Sequence, residues 1–546
     1  MKQLHNSIRT PRILRRLILL PALCALLCAT DLAAQNAEAK KDSEQQPLQL
    51  PEIIIKGRES LSIRGGRKAA PRSIPRLQQR ELDQLNSLEK LAPPLMPPAA
   101  LPMLTTEQSP YTGFVQGSLG MYLTADVLAG LSAQLDGYSL YARGGLQLSN
   151  GHVDDAGYSR IHAGLRSDYL APQKFWIFGG SRTVANLNIE RQDYNLYALD
   201  SAEARGVTVF DFDVDTYGSS GGLDFNLGFG MDLLSLGGAR DADHFGLDGY
   251  LRVRQSGAGF QLGGLADINI QSLNSNSLSL MTLALTGDVR DTNLTLTSEL
   301  GFDIGSDTRG ESTFAPRLRA GGELELNESV SLRGQLLSGL RRADFHGLWR
   351  ENPYVDADAD VAFEHVVAGA DLNVIYLPHP RLALLFGIGA EVLNDAAAFE
   401  PTSTATFTTL FRDGTRLSGK AELLWHMSDK TSLSSKLDVL ATTLDGENGG
   451  IPYAAPLTLR TELAHLFGES VQVGVKALFV GERQADLADS SKVDAFFDLG
   501  LHSRIILQPN FSIDVSFSNL LGQNIYIWRD YKEREIFARA GVSWLF

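Results

Sequence analysis

From Tyr111 to Phe546 apolar and polar residues alternate almost without a break. In LSGKAELLWHM, Leu417, Gly419, Ala421, Leu423, Trp425 and Met427 share one parity, and Ser418, Lys420, Glu422 and His426 share the other. FSIDVSFS sets Phe511, Ile513, Val515 and Phe517 against Ser512, Asp514, Ser516 and Ser518, and LDFNLGFGM repeats the pattern. Successive strand side chains point to opposite faces, so this period of two predicts strands with one apolar face and one polar or small face. A soluble sandwich alternates as well. Three features favour a membrane barrel. Many segments run about 11 residues, the length of a tilted membrane-spanning strand. The non-apolar parity is rich in charge and glycine, as a wet lumen would be. Aromatic residues recur near segment ends (Tyr138, Tyr169, Trp176, Tyr376, Trp425, Phe467, Phe511, Trp544), as in the girdles of such barrels.

The connections alternate too. Short turns such as MSDK, QPN, FGES, PHP, LNES and QSGAG exchange with longer loops near 193–206, 234–245, 303–315, 342–360, 394–415, 444–455, 482–492 and 521–535. Short periplasmic turns and longer external loops are what outer-membrane barrels show. One strand per alternation gives about 22 strands. That count requires TSTATFTTLF, residues 402–411, to be loop. The fold class expected is therefore all-β: a transmembrane antiparallel barrel over 109–546. Charges on the lumen parity (Lys420, Glu422, Lys436, Asp438, Arg460, Glu462, Arg504, Arg539) are expected to form mutually paired networks facing water.

Composition sharpens this picture at the N-terminus. Arg9, Arg12, Arg15 and Arg16 precede an apolar run, Leu17 to Ala29, with small residues at Ala33-Ala34. That is the pattern of a cleaved signal peptide over 1–35, too short for a spanning helix. Both cysteines, Cys24 and Cys28, fall inside it, so the mature chain is expected to lack disulfides. Residues 36–108 read as a periplasmic, largely disordered segment with one short helix. Its cations (Lys56, Arg58, Arg64, Arg67, Lys68, Arg72, Arg76, Arg80) suit either solvation or docking against acidic groups, in the lumen or on a partner. The net charge of −15 argues against nucleic acid as a partner.

No covalent chemistry is legible. GSSGG, residues 218–222, matches G-x-S-x-G in letters, but lies between two alternating segments, where a hairpin turn is expected. The run DADAD, residues 356–360, could offer oxygens to calcium but lacks the glycine and distal glutamate of an EF-hand loop, so a solvated surface loop is expected. Histidines show no paired ligand spacing. No catalytic, cofactor-binding or metal-binding residue is therefore assigned, and no cofactor.

The last residues carry a resemblance. FSNLLGQNIYIWRDYKEREIFARAGVSWLF is similar to the closing hairpin of TonB-dependent receptors, with Asn519, Leu520, Gln523, Tyr526, Trp528, Arg529, Tyr531 and Phe546 filling the family pattern. Val480-Gly481-Glu482-Arg483 resembles its Val-Gly-x-Arg. Upstream, Glu52, Ile53, Ile54, Ile55, Lys56 and Gly57 resemble a TonB box, and RLQQRELDQLNSLEKL resembles the first plug helix. The likeness then stops at APPLMPPAALP, where proline cannot continue a helix or a central strand. The plug is read as absent or vestigial. The resemblance implies a Gram-negative outer-membrane protein, not an enzyme, carrying a solute or macromolecule across that membrane. Its partners would be outer-membrane lipid, the barrel-insertion machinery through Trp544 and Phe546, and TonB or another periplasmic protein adding a strand at Ile53–Ile55. The alternative is a non-transporting barrel that anchors or assembles a complex through its basic segment.

Overall fold

The computed structural model describes residues 111–546, apart from 136, 176, 177, 199–201, 258, 448 and 489. Twenty-two strands form one antiparallel sheet. It closes on itself where the first strand, Gly113–Gly120, pairs with the last, Phe537–Leu545, in a register running from Phe114↔Leu545 to Gly120↔Arg539. Closure is what the alternation requires. An apolar outer face sits in lipid, where an unpaired sheet edge would leave several kcal/mol of unsatisfied backbone per group.

The two parities separate as expected. Outward residues are strongly exposed although apolar: Leu285 is 73 % exposed, Leu119 72 %, Ile388 67 % and Leu300 56 %. An apolar surface that girdles the whole molecule is far larger than water tolerates. With lipid as its solvent, the chain is an outer-membrane barrel. Inward residues form a charge ladder from strand to strand. Lys436 meets Glu422 at 3.5 Å and Asp438 at 3.3 Å, and Arg460 meets Asp438 at 3.4 Å. Arg504 donates to Asp514 at 2.5 Å, and Arg539 lies 3.7 Å from Asp126. Farther up the wall Arg341 and Arg416 each bridge Glu364 and Glu391 in a closed four-membered ring.

All six short turns named from the sequence lie on one rim, with the barrel's first and last strand ends, and the eight expected loops lie on the other, although strand runs into four of them and leaves only 197–202, 238–241, 307–311 and 402–406 between strands. The first rim is periplasmic by that asymmetry. The aromatic residues gather there: Tyr138 pairs with Tyr169 across strands, Phe511 pairs with Trp544, and Trp544 packs on Phe546 at 5.1 Å. Trp176 lies outside the described residues. GSSGG is a hairpin: the strand Glu203–Ser220 turns through Gly221 and Gly222, both at positive φ, into Leu223–Gly237.

Two expectations need correction. Strands are longer than the membrane demands, up to 20 residues in Leu382–Pro401 and Phe407–His426. TSTATFTTLF is therefore loop only at its start. Phe407 to Phe411 continue the ladder, paired with Pro401 to Ala397. Beyond the bilayer this hairpin still has something to pack against, and its β-branched and aromatic residues favour strand wherever one face is covered.

Lipid and lumen faces should answer differently to charge. Leu300→Arg, facing lipid in mid-strand, is expected to cost about 2–4 kcal/mol. Ser434→Arg, on the lumen face, should stay within about 0.5 kcal/mol. Urea midpoints of barrels refolded in phospholipid check this, and equal losses would reverse the assignment of faces.

Candidate functional site

The outer mouth is covered. Between the strands Val330–Arg341 and Glu364–His379 the chain runs inward across the opening instead of outward into water. Asp344 begins this crossing. It is extended (φ −151°, ψ 158°) and its carboxylate accepts from the Gly347 amide, capping the helix Phe345–Glu351. The helix buries Phe345, His346 and Trp349 on one side. Trp349 Nε1 donates to Tyr194 Oη at 3.0 Å, and Tyr194 in turn donates to the Pro353 carbonyl at 2.5 Å.

Beyond the helix the lid becomes an extra strand. Phe407 N–H donates to Tyr354 O at 3.0 Å and Asp356 N–H to Phe407 O at 2.8 Å, so residues 354–356 extend the tip of the long hairpin in parallel. Arg205, from the opposite wall, donates to Val355 O at 2.7 Å and to Pro353 O at 3.2 Å. On the third side Val361 N–H donates to Thr308 Oγ1 at 2.9 Å, and Thr409 Oγ1 donates to Asp360 O at 2.6 Å. The lid is thus fixed to several sectors of the rim. Its polar backbone is satisfied by wall side chains that face the lumen.

Its apolar side builds one core with the strand ends. Tyr354, fully buried, stacks on Tyr531 at an interplanar angle of 18°, and Tyr197 stands edge-on to both at 6.3 and 5.1 Å. Val207, Leu234, Leu236, Leu278 and Phe407 complete the same cluster. Burying this many large side chains, at about 1.5–3 kcal/mol each, holds the lid far more firmly than its hydrogen bonds alone.

The run DADAD belongs to this lid, which corrects the surface-loop reading. Ala357 and Ala359 are buried at 1 %, while Asp358 points to water. Asp356 accepts from Thr406 Oγ1 at 2.6 Å and the Asp358 amide at 3.1 Å, with Arg240 at 3.3 Å. Among the described residues no group of three or more His, Cys, Asp or Glu side chains is placed to hold a metal ion. Alternation puts alanine inside at every second position; the sequence shows that period but not the wall it meets.

The motif residues divide between the two rims. Asn519 is a backbone hub in the left-handed region at φ 46°: its Nδ2 donates to Gln523 O at 2.7 Å and Arg534 O at 3.1 Å, and its Oδ1 accepts from Gln523 N–H at 3.0 Å. Gln523 Oε1 accepts from Phe497 N–H at 2.9 Å. Leu520 is exposed. Arg483 donates to Tyr526 O at 2.6 Å and to Ile527 O at 3.2 Å, and burial pushes its guanidinium down to about 10. Trp528 is buried against Phe399, Phe407 and Tyr453 at 5.3, 5.2 and 4.5 Å. Tyr531 donates to Ala405 O at 2.7 Å, and Arg529 reaches Ser491 at 3.4 Å. These residues tie the last external loop to the lid. Trp544 and Phe546 lie at the periplasmic rim instead. The TonB-box-like residues, Glu52 to Gly57, and the plug-helix-like stretch lie outside the described residues.

Sequence reasoning missed Tyr194, Tyr197, Arg205, Trp349 and Tyr354. A signal existed: Phe345, Trp349, Tyr354 and Phe363 are a dense aromatic set for a segment expected to face water.

No protein-family model matches the chain, and no curated protein matches it by sequence. Solved structures match by fold. The FrpB iron transporter from Neisseria meningitidis superposes with a TM-score of 0.63 at 9 % identity, over 80 % of this chain and 81 % of that one. The copper transporter OprC gives 0.61 at 13 % identity, over 80 % of each chain. The ferric-catecholate import receptor Fiu from E. coli K12 gives 0.61 at 9 % identity, over 80 % of this chain and 82 % of that one. The chain thus shares the fold of these transporters and this import receptor, the 22-stranded barrel of the TonB-dependent receptors.

Acid should loosen the lid. Burial alone would raise the Asp356 carboxyl, but bonds from Thr406 and the Asp358 amide, with Arg240 and Arg205 nearby, hold it below the ordinary carboxylate range. A depressed folded value stabilises above the unfolded value near pH 4, and the stabilisation is lost as pH falls through the lower folded value. Protease nicking within 342–363 should accelerate toward pH 3. Asp356→Asn should nick faster at neutral pH and show less acceleration; a wild-type rate flat from pH 7 to 3 contradicts this.

Proposed function

We propose that the chain carries a solute across the outer membrane through a barrel whose outer mouth is closed at rest by residues 342–363. The observation that carries this reading is the lid itself: a charge-lined lumen under a cover held by side-chain contacts and one isolated backbone bridge, Val355 to Phe407, rather than by continuous sheet. Such a cover can lift as a unit about its two ends, near Arg341 and Glu364, while the barrel keeps every backbone pair that lipid demands. The fold neighbours support transport: they are iron and copper transporters and a ferric-catecholate import receptor. The anchoring alternative gains no such support.

In this reading residues 1–35 are a leader, 36–108 a periplasmic segment and 109–546 the barrel. The stretch Glu52 to Gly57 would add a strand to a periplasmic partner such as TonB, and Trp544 and Phe546 would present the chain to the insertion machinery. The closing-hairpin residues, Asn519 through Tyr531, serve as the fixed side against which the lid shuts.

Replacing 344–362 by a glycine-serine linker should raise single-channel conductance in planar bilayers several-fold over the wild-type chain, with the barrel still folded by heat-modifiable gel mobility. If that variant stays silent even after residues 36–108 are also removed, the barrel is no pathway and the transport reading fails.

A further inference from the structure

One connection on the periplasmic rim departs from the rule of short turns. Between Leu170 and Arg182 the chain runs eleven residues outside any strand, whereas no other gap between strands on that rim exceeds four. Its sequence, APQKFWIFGGS, is aromatic and apolar at the centre, where a turn in water would carry Asp, Asn or Gly. The segment is folded on itself. Phe175 N–H donates to Pro172 O at 2.9 Å, Phe178 N–H to Phe175 O at 3.0 Å and Ser181 N–H to Phe178 O at 2.9 Å. Ala171 N–H closes the loop on Ser181 O at 2.8 Å, and Gly180, at φ 74°, turns the chain back to the wall. These backbone bonds make the loop a compact foot.

The foot leans outward, onto the lipid face. Gly218 and Phe225 lie opposite each other in the hairpin of Glu203–Ser220 and Leu223–Gly237, on the parity of the exposed Leu227 and Phe229. Phe178 sets its ring edge-on to Phe225, at 5.7 Å and 78°. Phe225 is consequently half-buried, while Leu223 and Leu227 on either side of it stay exposed. Gly218 supplies the space. A methyl group there would stand 2.8 Å from Ser181 Cβ, so a side chain would push the foot off the wall. The first glycine of GSSGG thus has a role apart from the turn. Two residues farther from the rim, Tyr138 and Tyr169 pair on the same face. The foot therefore continues the apolar girdle down to the rim, with Phe175 52 % exposed and Lys174 exposed beside it.

We propose that residues 171–181 are an interfacial foot seated in the periplasmic leaflet of the outer membrane, with Phe175 and Phe178 among the acyl chains and Lys174 on an anionic phospholipid headgroup. Aromatic rings settle at the headgroup boundary, where one end is apolar and the other wet. A lysine there keeps its stem in apolar surroundings and extends its ammonium to phosphate. Lipid is the occupant because the foot rests on a wall that lipid already covers. A periplasmic protein would have to displace lipid to reach Phe178. Seated in this way, the foot fixes how deep the barrel sits on that side. It depends on the lipid face alone and holds whether or not a solute is transported.

Fluorescence quenching tests this in the full chain, whose only native cysteines lie in the leader. Phe175→Cys carrying a bimane label, in phospholipid vesicles with iodide on both sides, should be quenched by brominated phospholipid and shielded from iodide. The same label at Asp530→Cys, in an external loop with its side chain 71 % exposed, should respond the opposite way. At equal mole fraction, brominated phosphatidylglycerol should quench the Phe175 label more than brominated phosphatidylcholine. K174Q should reduce that preference about fivefold, as for the loss of one cation beside an anionic surface. G218L, which fills the notch and keeps the face apolar, should raise iodide quenching several-fold with the barrel still folded by heat-modifiable gel mobility. A Phe175 label open to iodide and unquenched by brominated lipid overturns the proposal and leaves the loop free for a periplasmic protein. Equal quenching by the two lipids, or a preference indifferent to K174Q, removes the headgroup contact and overturns it as well.

Discussion

Everything in this barrel depends on the pairing of Gly113–Gly120 with Phe537–Leu545. In water a sheet can leave an edge to solvent. In hydrocarbon it cannot, because each unpaired N–H or C=O has nothing else to bond. The first strand must therefore find the last, across more than 400 residues of chain, and all the intervening hairpins must be in register for the ring to close. Contacts of that sequence separation are slow to form. Asn519 and Gln523 sit just above this seam and satisfy backbone groups where the two final strands end early. The residues that make the family likeness recognisable are thus those that finish the ring.

Once closed, a ring of this size has the opposite difficulty: it leaves a hole wide enough for water. The molecule answers with the segment that enters the mouth between Arg341 and Glu364. Strands extended past the bilayer present Phe399 and Phe407 to it, and the last loop presents Tyr531 and Trp528. The long strands and the lid explain one another. Without the lid those strand ends would expose aromatic surface to water, and without the strand ends the lid would have no wall to close against.

The wall was legible in the sequence and the lid was not, for a physical reason. A strand in a barrel contrasts only two environments, lipid and lumen, so its pattern repeats every second residue and can be read locally. Leu417 to Met427 announce their faces without reference to any other segment. The lid is buried by residues hundreds of positions away, such as Tyr194 and Tyr531, and no local period records that. DADAD shows the difference: its alternation was visible, but which parity was inside depended on the hairpin beyond it. The polarity of the lumen charges was legible as parity, and their partners were not, since pairing depends on which strands are neighbours.

The unequal strand lengths have a consequence for the membrane. At the seam the strands span eight or nine residues, Gly113–Gly120, Phe511–Ser518 and Phe537–Leu545, against 20 for Leu382–Pro401. Beside the seam, above the sheet, Leu123, Leu521 and Ile536 are exposed on backbone that is no longer strand. The apolar girdle therefore has a low sector, and lipids there meet a shorter wall than lipids elsewhere. A bilayer accommodates such hydrophobic mismatch by thinning or by letting the protein tilt. Where its two ends meet, this barrel therefore asks of its bilayer a local thinning or a tilt that the longer-stranded wall opposite does not.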